Sequence, residues 1–416
     1  MLSLPPDIRA YTPAPSAGAA LSGVRVIDFS RMAAGPFGTQ ILGDLGAEVI
    51  KIENPVGGDD MRGNAMLGAT AGESASFLAL NRSKKSVAVD LKSEAGRQVA
   101  LDLIATADVV VENFTAGVMR RFQLDYPSLQ ARFPRLIYCS VSGYGRTGPN
   151  SEAAGYDFTV AADAGLIALN ADAGAAPTQG LIPHTDLSTA LNSVIGVLAA
   201  LHARAQTGRG QHVDVAMFDT ALANLTSYGL TYFITGQEPK LSPAQTARPR
   251  GRFVTADGAM VMVVTGAKMF RAFCLEVVDR PQWLEDPRWR DEATRMTDVA
   301  LLEELNTVLS ARDTAYWVGR CRKAGIPCGP IQSPGQALTS EAARSREMVL
   351  GLPHPTIGLV PTIAPGFRMS EAPFRHSAPP LLGQHTKKVL MDLPGYDEAW
   401  IERLAADGAI ALGLGG

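Results

Sequence analysis

Val24-Arg-Val-Ile-Asp-Phe-Ser-Arg-Met-Ala-Ala-Gly-Pro-Phe-Gly-Thr-Gln-Ile-Leu-Gly-Asp-Leu-Gly-Ala-Glu-Val-Ile-Lys-Ile-Glu53 decides the fold. Val24 to Phe29 has strand length and a β-branched, apolar character. Ser30 to Gly35 is a short loop of polar and small residues. Pro36 suits the first position of a helix that runs through Gln40, Ile41, Leu42 and Leu45 to Gly46. Ala47 to Glu53 is a second strand. Strand, loop, helix, strand is a βαβ unit, which predicts an α/β fold with a parallel, Rossmann-like sheet. The loop 30–36 is not GxGxxG, so no NAD site is read from it.

The pattern repeats downstream. Strands are predicted at Ser86–Asp90, Val109–Asn113, Leu136–Val141 and Gln211–Ala216, with a helix over 94–106. In such sheets the loops at the carboxyl ends of the strands hold the ligand. Here they are Arg31-Met32-Ala33, Asn113-Phe114-Thr115 and Ser142-Gly143-Tyr144. Each alone reads as ordinary turn chemistry; their placement around one crevice points to a ligand site.

The segment 181–204 is a strongly apolar helical pattern. Leu187, Leu191, Val194, Ile195, Leu198 and Leu201 recur at the spacing of a buried helix face. Pro183 stops any element arriving from upstream. Asp186 then lies at the helix N-terminus, where unpaired N–H groups and the dipole favour a carboxylate. Two readings stand: a capping aspartate, or a carboxylate nucleophile presented on a rigid helix end.

Further on, Phe218 to Phe233 reads as a long apolar helix. A polar, basic stretch at about 235–252, with Arg248, Arg250 and Arg252, reads as a linker. A hairpin-like stretch, Phe253–Val264 around Asp257-Gly258, opens a second domain that continues in helices. Ala324 to Pro330 reads as a turn-rich crossing back.

The 416 residues suffice for two or three domains. A net charge of −3 excludes an overall basic surface for nucleic acid or a polybasic membrane patch. The four cysteines show no zinc spacing and no disulfide framework, which suits a reducing cytoplasm. No metal is read from the sequence. Residues 1–20 are Pro- and Ala-rich and read as a flexible arm without a signal peptide. The longest apolar runs fall short of a membrane span.

From about Leu21 to about Leu404 these residues, in order, resemble the class III CoA-transferase family, the formyl-CoA and carnitine-CoA transferase relatives. The resemblance rests on Gly23–Phe29, Ala34-Gly-Pro36, Leu45–Glu53, Asn81–Leu91, Asp108–Phe114, Ser142-Gly-Tyr-Gly145, Thr207–Gln211, Gly325–Pro330 and Leu382–Thr386. It implies interlocked homodimers, with a large Rossmann-like domain built from both chain ends and a smaller α+β domain inserted. For this chain that implies an arm at 1–20, a large CoA-binding domain at 21–234, a small domain with its linker at 235–335, and a returning segment at 336–416. Asp186 falls at the family's catalytic aspartate. Its carboxylate, ionised at neutral pH if unperturbed, would attack an acyl-CoA thioester, and CoA would pass to a free carboxylic acid through anhydride and aspartyl-CoA intermediates. Coenzyme A, as substrate, would lie against Met32, Ala33, Val89, Asp90, Leu91, Lys92, Asn113, Phe114 and Arg121. Lys92 and Arg121 would meet phosphates, though as bare sequence both read as solvated charges. Tyr156 and Asp157 would line the acyl pocket.

Three departures from the family pattern stand out. Asn54 occupies a position that is basic in some relatives. Gln123 stands where relatives often carry Gly. No glycine-rich lid of the formyl-CoA transferase kind is evident near 240–260. The sister class, the α-methylacyl-CoA racemases, shares the fold but pairs the aspartate with a His in a Gly-His-Asp segment. Here that segment is Gly155-Tyr156-Asp157, which favours the transferase, because a tyrosine of ordinary pKa is a poor base. His184 sits two residues from Asp186, too close in sequence for a working pair, and reads as a loop or solvent contact. A CoA-binding protein without turnover is a third reading. Small dicarboxylates such as succinate fit the family, and Arg248, Arg250 or Arg252 are candidates for a distal carboxylate.

Overall fold

The computed structural model describes residues 8, 10–12, 18–64, 68–70, 73–169, 180–239, 250–291, 294–295 and 299–413. The chain divides into two compact units. One comprises 1–166, 180–226 and 341–416; the other comprises 167–179 and 227–340.

In chain order the elements are β1 (Arg25–Asp28), α1 (Ala34–Asp44), β2 (Glu48–Glu53), β3 (Lys84–Val89), α2 (Glu94–Ala105), β4 (Val109–Glu112), α3 (Val118–Arg121), β5 (Ile137–Ser142), α4 (Asp157–Asp163), α5 (His184–Thr207), β6 (His212–Ala216) and α6 (Met217–Thr235). Then follow β7 (Arg250–Thr255), β8 (Gly258–Val263), β9 (Cys328–Pro330), β10 (Val349–His354), β11 (Gly358–Ile363), α7 (Thr386–Met391), α8 (Glu398–Ala406) and β12 (Ile410–Ala411).

The first unit is built on a seven-stranded sheet in the order β12-β3-β2-β1-β4-β5-β6. Six strands run parallel, and only β12 pairs antiparallel, with β3. The βαβ reading of 24–53 therefore holds. From β1 the strand order runs outward both ways, to β2 and to β4, so the crevice between the loops after β1 and β4 is the sheet's switch point. One face packs on α1 and α5, with Ile41, Leu42, Val194 and Val197 in its core. The other packs on α2, α7 and α8 through Val99, Leu103, Leu390, Ile401 and Leu404. In the second unit β7, β8 and β9 form an antiparallel sheet, with a core of Phe253, Met260, Phe273, Trp289, Leu305 and Trp317.

Several expectations need correction. Helix α1 begins at Ala34, so Pro36 is its third residue, not its first; the first turn tolerates it because those N–H groups have no helical partner. The stripe read from 187 to 201 is only partly the buried face of α5: Val194 is buried and Leu198 and Leu201 pack against the core, but Leu191 and Ile195 do not. Thr185, Thr189, Ala190, Ser193, Val194, Val197 and Ala200 are buried, whereas Leu191 is 51% and Ile195 63% exposed. Small residues face inward because α1 approaches closely: a Cβ on Gly38 would lie 2.6 Å from Ser193 Oγ. Helix α5, at 24 residues, is by length and composition apolar enough to cross a membrane, contrary to the reading of short runs. Its buried face packs on α1 and the sheet, as a core helix does.

Helix α6 is broken at Thr226, with φ 41°, where the first unit gives way to the second. The linker ends before Arg250, since β7 begins there; Arg248 lies outside the described residues, and Arg252 is exposed on β7. Residues 240–249 of the stretch searched for a glycine-rich lid also lie outside them. Segment 324–330 supplies β9, paired with β8, and is no simple crossing. Within the arm, Ala10 bridges to Gly351, the Tyr11 hydroxyl donates to the Phe374 carbonyl at 2.6 Å, and Ala19 is buried. Local composition could not reveal partners over 300 residues away.

Candidate active site

The site begins with buried charge under the switch point. Asp28, the last residue of β1, accepts the Ser30 N–H at 2.9 Å, the Ser30 hydroxyl at 2.5 Å and the Thr39 hydroxyl at 2.6 Å. Burial pushes its carboxyl up, but Lys84 at 3.1 Å and Lys51 outweigh this and bring it to about 2. Burial drives the Lys84 amine down to about 8 against the pull of Asp28. Lys51, fully buried, donates to the Ser30 carbonyl at 2.6 Å and pairs with Asp59 at 2.8 Å. Asp59 in turn accepts the Met32 N–H at 3.2 Å. These contacts hold Met32 at φ 66°, a left-handed conformation costly for a residue with a Cβ.

Across the switch point, Asn113 fixes the same loop from β4. Its Oδ1 accepts the Arg31 N–H at 2.8 Å and its Nδ2 donates to the Arg31 carbonyl at 2.7 Å. The Arg31 guanidinium lies 4.7 Å from the Phe114 ring centre. Phe114 lines two depressions. One is bounded by Phe29, Ile52, Asn54, Val89, Asp90, Leu91 and Lys92. The other, about 210 Å³, is bounded by Met32, Ala33, Asn113, Gly143, Gly155, Tyr156, Met217 and Asp186.

Asp186 is the third residue of α5. Its carboxylate accepts no hydrogen bond among the described residues, and it does not cap its helix. The capping acceptor is Asp157, whose Oδ1 takes the Asp186 N–H at 2.9 Å. Burial, then the nearby Asp157 charge, raises the Asp186 carboxyl to about 7. The expectation of an ionised aspartate held only for an unperturbed group, and Asp186 is strongly perturbed toward its protonated form. Asp157 reaches this position through a close backbone contact: a Cβ on Gly155 would lie 2.5 Å from the Gly143 Cα. The glycines of Gly143-Tyr-Gly145 and Gly155-Tyr-Asp157 are a sequence signal for that contact.

Of the residues expected to hold CoA, the structure gathers Met32, Ala33 and Asn113 with Tyr156 and Asp186, and Val89 to Lys92 in the neighbouring depression, with Phe114 between. Arg121 is exposed on α3 and lines neither. Asp157 stands behind Asp186, bound to its main chain. Tyr156 is 63% exposed at the rim. His184 is exposed, and its ring makes no hydrogen bond among the described residues. Asn54 accepts the Val56 N–H at 2.8 Å and shapes its own turn. Gln123 has φ 57°, a left-handed conformation that glycine adopts freely. Residue-type reasoning did not find Lys51, Asp59, Glu112 or Arg146, whose pairing becomes visible only once the strands and loops are assembled. Among the described residues, no group of His, Cys, Asp and Glu is placed to hold a metal ion.

Residues 21–386 match the sequence profile of CoA-transferase family III. The chain is 36% identical over 403 residues to succinyl-CoA:glutarate CoA-transferase of Mus musculus, covering 94% of this chain and 90% of that protein. It is 36% identical over 344 residues to acetyl-CoA:oxalate CoA-transferase of Acetobacter aceti, covering 82% and 87%. The crystal structure of a CAIB/BAIF family protein from Brucella suis superimposes with a TM-score of 0.82 at 32% identity, covering 89% of this chain and 98% of that one. With profile, sequence and fold in agreement over nearly its whole length, the chain belongs to CoA-transferase family III and is an enzyme of that family.

Proposed function

We propose that Asp186 is the nucleophile through which this enzyme moves CoA from an acyl-CoA to a free carboxylic acid. The Asp186 carboxylate attacks the thioester carbonyl, giving a mixed anhydride and CoA thiolate. The thiolate attacks the aspartyl carbonyl, giving an enzyme-bound CoA thioester and releasing the first acid. The acceptor acid enters and the steps run in reverse. Anhydride and thioester are comparably activated, so the acyl bond energy is conserved. The observation that carries this reading is the Asp186 carboxyl itself. It is desolvated, accepts no hydrogen bond among the described residues, and lines a cavity that shares the Phe114 wall with the nucleotide-loop depression. A carboxylate stripped of hydrogen-bond donors is a stronger nucleophile, and the Ala34 and Gly35 N–H groups in the first turn of α1 are the candidates to meet the oxyanions.

In this reading Val89 to Lys92 and Phe114 hold the nucleotide end of CoA, with Lys92 toward phosphate, and Met32, Ala33 and Asn113 lead its thiol end to Asp186. Succinyl-CoA as donor and a short dicarboxylic acid as acceptor are the first pair to assay, on the strength of the relatives' reactions. The test is mass spectrometry of protein incubated with succinyl-CoA and quenched with hydroxylamine or borohydride. A thioester-dependent mass change confined to the Asp186 peptide is expected, and its loss in Asp186→Asn, with CoA binding kept. Modification elsewhere, or none alongside α-deuterium exchange in a branched acyl-CoA, would discard the mechanism.

The working form is proposed to be a homodimer. Leu191 and Ile195 on α5, with Leu222 on α6, leave apolar surface exposed on the first unit. Leu191→Glu with Ile195→Glu is expected to yield monomers in light scattering; an unchanged mass would remove α5 from the interface.

A further inference from the structure

Arg146 lines the Asp186 cavity, and an arginine there invites the reading of a carboxylate anchor. Its bonds point elsewhere. Nη2 donates to Glu112 Oε1 at 2.5 Å, and Nη1 donates to the Phe114 carbonyl at 3.1 Å. The other Glu112 oxygen, Oε2, accepts the Phe114 N–H at 3.0 Å. Both polar groups of one peptide residue are thus held inside a ring closed by a single ion pair. The pair is itself anchored. Glu112 ends β4, is buried, and takes a further hydrogen bond from Ser140 on β5. The Arg146 N–H donates to Asp214 on β6 at 3.0 Å. Three adjacent strands therefore fix one loop residue, and that residue is the wall shared by the two depressions.

We propose that the Glu112–Arg146 pair is a positioning element that fixes Phe114 as the partition between the nucleotide depression and the Asp186 cavity, and so aligns the two halves of an acyl-CoA. This rests on the CoA-transferase reading above. With its charge paired to Glu112 and one N–H of each terminal nitrogen engaged, Arg146 is committed to the Phe114 loop, and the glutarate KM separates this role from that of an acid anchor. A loop released from this ring loses both its hold on CoA and the alignment of the CoA thiol end with Asp186, so the loss is felt in CoA binding and in kcat.

The experiment compares full-length wild type, Arg146→Ala, Arg146→Lys and Glu112→Gln. It measures CoA binding by titration calorimetry and transfer from succinyl-CoA to glutarate with each substrate varied. Arg146→Ala is expected to raise the CoA dissociation constant and the succinyl-CoA KM about tenfold or more and to lower kcat as the thiol end loses its place beside Asp186, with the glutarate KM changed by less than about threefold. Arg146→Lys, reaching one acceptor at a time, is expected to recover part of the loss, and Glu112→Gln to move the same constants less far. If Arg146→Ala fails to fold, the two milder variants carry the comparison. A rise confined to the glutarate KM overturns the proposal in favour of an acid anchor, and unchanged CoA binding overturns it outright. The calorimetric arm needs no turnover: weakened CoA binding in the variants of a protein that transfers nothing supports the positioning role while discarding the transferase mechanism.

Discussion

The main-chain N–H of Asp186 donates to the side chain of Asp157 at 2.9 Å. One carboxylate thus caps the helix that presents the other, and the two charges are forced together. Burial and this neighbour hold Asp186 at about 7.

Attack requires the ionised form, so kcat/KM for an acyl-CoA should rise with pH and level off above about 7. Asp157→Asn keeps an oxygen for the N–H but removes the charge. The midpoint should fall by about one pH unit. Superimposable pH–rate profiles for the two proteins would exclude Asp157 from setting the Asp186 charge.

The same feature weakens the fold. Between about pH 4 and pH 7 the folded protein keeps a proton on Asp186 that the unfolded chain has already released. The stabilisation this gives is present at low pH and lost as pH rises through about 7. Asp186→Asn has no such ionisation, so at pH 8 it should be more stable than wild type by about 1–3 kcal/mol. The gap should narrow as pH falls toward 5, in urea unfolding at both values.

Gly96, in the first turn of α2, permits the loop before it to fold back. A Cβ there would lie 2.1 Å from the Asp90 carbonyl oxygen. Helix propensity alone favours alanine by about 1 kcal/mol. Displacement of Asp90 should reverse the sign, destabilising Gly96→Ala by about 1–3 kcal/mol and weakening CoA binding with it. Urea unfolding and calorimetry check both; a stabilised variant with intact binding would show that the loop relaxes freely.

Gln123 carries φ 57° at an exposed position. Glycine removes a left-handed penalty of about 1–2 kcal/mol and adds unfolded-state entropy of about half that. Gln123→Gly should therefore gain roughly 0.5–1 kcal/mol with unchanged kcat/KM. A loss of stability in thermal unfolding would mean that the side chain contributes contacts outweighing its backbone strain.

What could be read from sequence was local. The β1-α1-β2 unit follows from residue periods within 30 positions, and the strands after it from short β-branched runs. The ligand crevice followed from strand ends. What escaped depended on distant partners. Nothing in a linear reading pairs Lys84 with Asp28, Glu112 with Arg146, or Asp157 with the start of α5. The period of α5 was legible, but its inward face was not. Close contact with α1 at Gly38 selects small residues for that face and turns the large ones out.

Strand β12 closes the sheet beside β3, and the Asp90 N–H donates to the Ala409 carbonyl at 2.9 Å. The loop proposed to hold the nucleotide thus waits for residues translated some 320 positions later. At ribosomal speeds of about 5–20 residues per second, that delay is on the order of tens of seconds. Throughout it β3 is a bare sheet edge, open to pairing with another nascent chain. Residues 409–411 therefore decide when this sheet edge is covered and when the loop after β3 takes its final form.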